Sequence, residues 1–112
     1  MQLGFRNHHL EKCANDHRYA QRKLGPERAR KYLLRLQQLA SAVCLADVRN
    51  LPQAGFHELT GDRKGEIACN VDQPYRLILV PAHDPVPTKE DGGLDWDKVT
   101  AVTITDIVNY HG

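Results

Sequence analysis

The stretch FHELTGDRKGEIACNVDQPYRLILV, residues 56–80, decides the fold. The apolar residues Ile67, Cys69 and Val71 occupy every second position, which is the period of two that a half-buried β-strand shows. A turn is expected at DQP, residues 72–74, because proline cannot donate to a strand ladder and fits best at a strand's first position. The apolar residues 75–80 then form a returning strand. The stretch therefore predicts an antiparallel β-hairpin.

Two amphipathic helices are predicted upstream of this hairpin. The first follows Asn7, a good N-cap residue, and its apolar side chains recur at helical spacing as far as Leu24. Gly25 favours a helix end and Pro26 a helix start, so the second helix follows at once. One face of the second helix is apolar. The opposite face is expected to carry Arg28, Lys31, Arg35 and Gln38.

Residues 99–110 are rich in β-branched side chains and predict a last strand. Before it lies an acidic insertion, residues 83–98, which is too long for a hairpin turn and holds the only tryptophan, Trp96. We expect Trp96 to anchor the insertion on the sheet, and the rest to be either a solvated loop or a cover over a basic cleft. The fold class is α+β: one domain, residues 1–112, with a helical hairpin packed on an antiparallel sheet.

Composition limits the possible functions. The 112 residues are 41% hydrophobic and 26% charged, which is ordinary for a globular domain. No apolar run approaches the roughly 20 residues of a membrane span. The three cysteines are odd in number and widely separated, so they predict neither a disulfide framework nor a metal site. We expect a cytoplasmic protein without a metal, another cofactor or a membrane partner.

The charges divide the chain into two unlike halves. Residues 1–56 hold ten Lys and Arg against four Asp and Glu, whereas residues 57–112 hold five against ten. A basic half suggests a polyanionic partner, with nucleic acid first among the candidates. The alternative is a solvated helix face.

The turn TGDRKG, residues 60–65, matches neither a P-loop nor a dinucleotide-binding fingerprint. Its glycines, Gly61 and Gly65, enclose a polar turn that presents Arg63 and Lys64 outward. This turn is either a phosphate-contacting element or a solvated turn.

Three elements in this order carry a resemblance: the HxLKGDRKG-like segment FHELTGDRKG, a strand containing YR, and the terminal NYH. Together with the N-terminal FRNHHLEKC and the helical hairpin, they resemble the HigB branch of the RelE/ParE toxin superfamily over essentially the whole chain. The resemblance implies a RelE/ParE-like fold and a ribosome-dependent mRNA endonuclease (mRNA interferase). It also implies a type II toxin–antitoxin system of the plasmid-maintenance, killer-protein kind, with a helix-turn-helix antitoxin, the ribosome and mRNA as partners.

Metal-free RNA cleavage requires a base for the 2′-hydroxyl, positive charge at the phosphate, and an acid for the leaving oxygen. Histidine serves as acid or base near neutral pH, and arginine binds phosphate through two parallel bonds. His57 and His111 are the acid–base candidates, and Arg63 and Arg76 the phosphate binders. Lys64 would stabilise charge or act as a base, and Tyr110 would stack on a base or orient the ribose. Further RNA contacts are expected from Arg28, Lys31 and Arg35.

Several alternatives stay open. His57 can be a hydrogen-bonded edge residue, His111 a frayed tail, and Arg76 the partner of Glu66 across the hairpin. The family's terminal aspartate is replaced here by Asn109, and Asp106 is expected on the opposite side of the strand. A non-catalytic RelE-fold binding or regulatory protein, of the kind labelled killer suppression protein, is the alternative function. Gyrase poisoning suits the Tyr-His ending and the lysine-bearing turn less well.

Overall fold

The computed structural model describes residues 1–109, which form an α+β fold of three helices and a five-stranded mixed sheet. In chain order the elements are β1 (Gln2–Phe5), α1 (His8–Asn15), α2 (His17–Leu24), α3 (Pro26–Ser41), β2 (His57–Glu58), β3 (Ile67–Asp72), β4 (Tyr75–Pro81) and β5 (Ala101–Asn109). The sheet order is β1-β5-β4-β3-β2. None of the helices described here is long and apolar enough to cross a membrane.

The α+β class is confirmed, but the expectation of a wholly antiparallel sheet is wrong. Strand β1 pairs in parallel with β5, whereas every other pair of neighbouring strands is antiparallel. Gln2 lies opposite Ala101 in this pairing. A partner so far along the chain leaves no local signal in a four-residue strand, so the pattern within residues 2–5 does not predict β1.

The first predicted helix is two helices. Asn7 caps α1 as predicted, since its side-chain oxygen accepts from the Leu10 N–H at 2.9 Å. The chain then becomes extended at Asp16, whose carboxylate accepts from the Tyr19 N–H at 3.0 Å and starts α2. Gly25, at a φ of +84°, ends α2 as predicted, and α3 follows directly.

The core lies between the helices and one face of the sheet. The buried residues of this face include Ile67, Cys69 and Val71 of β3, as predicted, and Leu77 and Leu79 of β4. The expectation that β3 is half-buried is wrong, because Ala68 on the opposite side of the strand is also 0% exposed. Helix α3 contributes Tyr32, Leu36 and Leu39 to this core. The Tyr32 hydroxyl is satisfied by donating to the Leu10 carbonyl at 2.9 Å, and burial raises the pKa of this phenol.

The opposite side of the sheet, which we call the far face, carries the alternate residues of β3 and β4. A bulge in β5 decides what this strand contributes. Ile104 pairs with Leu79 but Asp106 with Ile78, so Thr105 is an extra residue, and its hydroxyl donates to the Ile78 carbonyl at 3.1 Å. Asp106 consequently shares the far face with Ile78. Asn109 pairs with Tyr75 and, as predicted, lies on the other side from Asp106.

The acidic insertion forms a small hydrogen-bonded hairpin. The Lys89 N–H donates to the Gly93 carbonyl at 2.7 Å, and the Asp95 N–H to the Pro87 carbonyl at 3.0 Å. Trp96 is 3% exposed and its indole N–H donates to the Glu58 carboxylate of β2 at 2.7 Å. The predicted anchoring of the insertion on the sheet by Trp96 is confirmed.

Candidate functional site

The far face brings together polar side chains from three adjacent strands. Asn70 of β3 lies opposite Arg76 of β4, and His57 of β2 lies opposite Ala68, two residues before Asn70. Alternation along a strand puts all of them on one side of the sheet. From strand spacing and rise, the Cα atoms of His57 and Arg76 are roughly 12 Å apart.

Arg76 is oriented by its cross-strand neighbour. Its guanidinium Nη1 donates to the Asn70 side-chain oxygen, and both residues are half-buried. The alternative in which Arg76 pairs with Glu66 is wrong, because the register places Arg76 opposite Asn70, four residues from Glu66, and Glu66 accepts from Arg63 at 3.0 Å. Arg76 thus has a fixed position on the far face, and its role as a phosphate binder stays a prediction.

Asn70 is a site residue that sequence reasoning missed. Its side-chain amide donates to the Gln53 carbonyl at 3.1 Å, so its oxygen is directed to Arg76. The loop passes close by: a Cβ added at Gly55 would lie 2.8 Å from the Asn70 Nδ2. The available signal was a polar amide within an apolar strand, directly across the hairpin from an arginine.

His57 is exposed on the short edge strand β2, and its Nδ1 lies 2.8 Å from the Gly55 carbonyl oxygen. Because a carbonyl only accepts, this contact requires the proton on Nδ1. In the neutral ring Nε2 is then the acceptor nitrogen, which is the form that a general base needs. The alternative in which His57 is a hydrogen-bonded edge residue is confirmed, and its acid–base role stays a prediction.

In the GDRKG turn, the two predicted phosphate-contacting residues have different surroundings. Arg63 is engaged by Glu66, whereas Lys64 is exposed. Lys64 lines a cavity of about 220 Å³ between the turn and the acidic insertion, together with Glu58, Glu66 and Leu94. Asn70 lines a separate cavity, on the α3 side. A role for Lys64 at the phosphate remains a prediction.

The expectation that Arg35 lies on an exposed face of α3 is wrong. Its side chain is directed at the sheet, the residue is 5% exposed, and its Nε donates to the Asn70 carbonyl at 2.7 Å. A second guanidinium nitrogen donates to the Gln53 carbonyl at 3.1 Å. Arg35 is therefore placed behind the far face and is almost fully buried.

The other two predicted contacts on α3 lie nearer the surface. Arg28 stacks its guanidinium on the Tyr75 ring, 3.4 Å from the ring centre, and its Nε is 3.9 Å from an Asp72 carboxylate oxygen. Lys31 is partly exposed, with its Nζ 3.9 Å from a Glu27 oxygen. Both residues already have intramolecular partners, and their RNA contacts stay predictions.

A different group of cations surrounds Tyr19 at the junction of α1 and α2. Lys12, Arg22 and Lys23 lie 4.6, 6.0 and 5.7 Å from the centre of the Tyr19 ring, and the His9 Nδ1 is 2.8 Å from its hydroxyl. We call these five residues the Tyr19 cluster. Within residues 1–109 no salt bridge joins its three Lys and Arg side chains to a carboxylate. Their charge is therefore available to a partner.

The last predicted site residues, Tyr110 and His111, lie outside the described residues, which end at Asn109. In the part of the chain that the structure describes, no group of three or more side chains is placed to bind a metal ion. Comparison of the sequence with protein-family models and with curated proteins finds no match.

Proposed function

We propose that this chain is the toxin of a bacterial type II toxin–antitoxin system and has a RelE/ParE-like fold of the HigB kind. In this proposal it is a ribosome-dependent endonuclease that cleaves mRNA through the 2′-hydroxyl without a metal ion. The motif order GDRKG, YR and NYH supports the assignment. The observation that carries it is the far-face group in which Asn70 fixes Arg76 and the Gly55 carbonyl fixes the tautomer of His57.

The chemistry follows from these side chains. His57 Nε2 takes the 2′-hydroxyl proton, and the 2′-oxygen attacks the adjacent phosphorus while Arg76 stabilises the charge that develops on the phosphate oxygens. The bond from phosphorus to the 5′-oxygen breaks, and this oxygen takes a proton from an acid. His111 is the candidate acid that the resemblance supplies. The products are a 2′,3′-cyclic phosphate and a 5′-hydroxyl end.

A second function is favoured by one specific residue. Asn109 stands where the family has an aspartate, so a carboxylate that would orient or exchange a proton is missing from that position. A RelE-fold protein without cleavage activity, which binds RNA or regulates a toxin–antitoxin module, would tolerate this change. The two functions differ in product formation and not in binding.

The test is cleavage of mRNA on purified ribosomes by the wild-type chain and Arg76→Ala, with growth after induction as the cellular readout. We expect wild-type protein to arrest growth and to leave 2′,3′-cyclic phosphate ends on the cleaved mRNA, and Arg76→Ala to lose both effects. Arg30→Ala is the matched control, because this exposed arginine pairs with Glu27 on α3. Ribosome binding without cleavage would favour the regulatory alternative. Equal activity of wild type and Arg76→Ala would exclude the proposed mechanism.

A further inference from the structure

Arg35 occupies a position that the core would fill well with an apolar side chain. It lies on the helix side of the sheet among the buried residues of α3, such as Tyr32 and Leu36. In residues 1–109 no carboxylate forms a salt bridge with it. Burying a cation without a counter-ion is unfavourable unless hydrogen bonds compensate. Packing alone therefore does not explain this arginine.

The hydrogen bonds of Arg35 join two segments behind the far face. Its Nε donates to the backbone carbonyl of Asn70 at 2.7 Å, and its Nη2 to that of Gln53 at 3.1 Å. Its Nη1 donates to the Gln38 side chain at 3.2 Å, which holds the guanidinium plane. The Gln53 backbone has a φ of +67°, an uncommon value for a residue with a side chain. Arg35 thus fixes a carbonyl in a backbone conformation that needs support.

The same carbonyl orients the amide of Asn70. The Gln53 oxygen accepts from Arg35 and, at 3.1 Å, from the Asn70 Nδ2. With its nitrogen committed to Gln53, the Asn70 amide can present only its oxygen to Arg76, which donates to it. An unbroken series of hydrogen bonds therefore connects the buried guanidinium of Arg35 with the guanidinium of Arg76 on the far face.

We propose that Arg35 is a positioning residue, which sets the direction of the Arg76 guanidinium through the Gln53 carbonyl and the Asn70 amide. This inference rests on the proposed function, in which Arg76 holds the scissile phosphate. Arg35 itself does not touch RNA. Its loss should lower the rate of the cleavage step more than the affinity for RNA, because a misdirected guanidinium still attracts phosphate but fits the transition state poorly.

The test compares Arg35→Met with Leu36→Ala by two independent measurements. Leu36 is the matched control, since it is the next residue in α3 and is also 5% exposed. The first measurement is NMR of the Asn70 side-chain amide and the Arg76 Nε–H, below the melting temperature of each variant. We expect both signals to shift and broaden in Arg35→Met and to stay near their wild-type positions in Leu36→Ala. Arg35→Lys, which keeps the charge but not the fork of donors, should show the same displacement and serves if Arg35→Met fails to fold.

The second measurement is single-turnover cleavage on ribosomes. Arg35→Met and Asn70→Ala should each slow cleavage about tenfold or more, and the double variant should be little slower than either single variant, because both act through one series of bonds. The positioning role would be overturned if the rate losses of the two single variants multiply in the double variant. It would also be overturned if the Asn70 and Arg76 signals of Arg35→Met match those of Leu36→Ala. If the signals are displaced in Arg35→Met but the wild-type chain cleaves no RNA, the positioning role is supported and the proposed function is overturned.

Discussion

At the scale of single residues, the candidate site depends on polar side chains placed inside apolar patterns. Asn70 interrupts the apolar run of β3, and Arg35 interrupts the buried stripe of α3. Sequence reasoning selected Arg76 and His57 from the chemistry that RNA cleavage requires, because an arginine suits the phosphate and a histidine suits proton transfer. It placed Arg35 wrongly, because the carbonyls that it binds lie 18 and 35 residues away in the chain.

Buried titratable groups make the fold sensitive to high pH. Burial raises the pKa of the Cys69 thiol from 9.0 to about 12, and the nearby Arg35 and Arg76 offset only part of this effect. The folded state thus favours the neutral form of the Cys69 thiol. The contribution of this thiol to stability is complete below pH 9 and is lost as the pH rises towards 12. We expect the free energy of unfolding in urea to fall above pH 9, with Cys69 contributing up to about 1.4 kcal/mol per pH unit.

Substitution isolates that contribution. Cys69→Ala should show a shallower decline in stability between pH 9 and 11 than the wild type, whatever its stability at pH 7. Cys44→Ala is the control for the loss of a thiol, because Cys44 is only half-buried. Parallel stability curves for Cys69→Ala and wild type would contradict the prediction. Tyr32 adds to the decline above pH 10 in both proteins, since its phenol is also stabilised in the neutral form.

At the scale of elements, the helices differ in whether their cations are already paired. Arg30 and Lys31 of α3 contact Glu27, whereas Lys12, Arg22 and Lys23 of the Tyr19 cluster have no carboxylate partner in the described part of the chain. Pairing reduces the charge that a helix face presents to a polyanion. The α1–α2 junction is therefore the better candidate for contact with RNA phosphates than the α3 face that the sequence indicated.

We predict that Lys12→Gln/Arg22→Gln/Lys23→Gln weakens ribosome binding and flattens its salt dependence. Removing one cation that binds a phosphate should lower the slope of log K against log salt by roughly 0.7–0.9. The matched control is Arg30→Gln/Lys31→Gln, which should change the slope much less. Binding would be measured by sedimentation at several salt concentrations. If the α3 variant flattens the slope more than the α1–α2 variant, the face predicted from the sequence is the one that contacts RNA.

The elements also show what local patterns can predict. The helix boundaries at Asn7 and Gly25 and the core-facing positions of β3 were predicted correctly, because each signal lies within a few residues of the feature. The break at Asp16 was missed, since apolar spacing continues across it. The parallel pairing of β1 with β5 and the bulge at Thr105 were also missed, because both depend on the register between distant segments. The bulge places Asp106 on the far face, which alternation from Ile104 would not indicate.

At the scale of the whole molecule, the uneven charge of the sequence distinguishes a basic helical half from an acidic insertion. Residues 83–98 hold five Asp and Glu against two Lys. Trp96 secures this segment to β2, the strand that also carries His57. The hairpin of the insertion lies beside Lys64, across the small cavity. Negative charge fixed at this edge of the sheet opposes the approach of RNA phosphates.

The insertion should therefore reduce RNA affinity in the absence of the ribosome. Replacing residues 86–94 with a short Gly/Ser linker, while keeping Trp96, should tighten binding of a short single-stranded RNA at low salt. The difference should shrink as salt screens it, because surface charges interact over only about 10 Å at 0.1 M ionic strength. Fluorescence anisotropy at several salt concentrations, with urea unfolding to confirm that the variant is folded, measures both effects.

A charge-only variant separates electrostatics from bulk. Glu90→Gln/Asp91→Asn leaves the backbone bonds of the hairpin in place and should reproduce part of the gain in low-salt affinity. If only the linker variant gains affinity, and does so equally at all salt concentrations, the hairpin acts by occupying space and not by its charge. If neither variant binds RNA more tightly at low salt, the insertion does not control access to the far face. The roles proposed for Arg76 and His57 would stand in that case, because they depend on the hydrogen bonds of β2, β3 and β4 and not on the insertion.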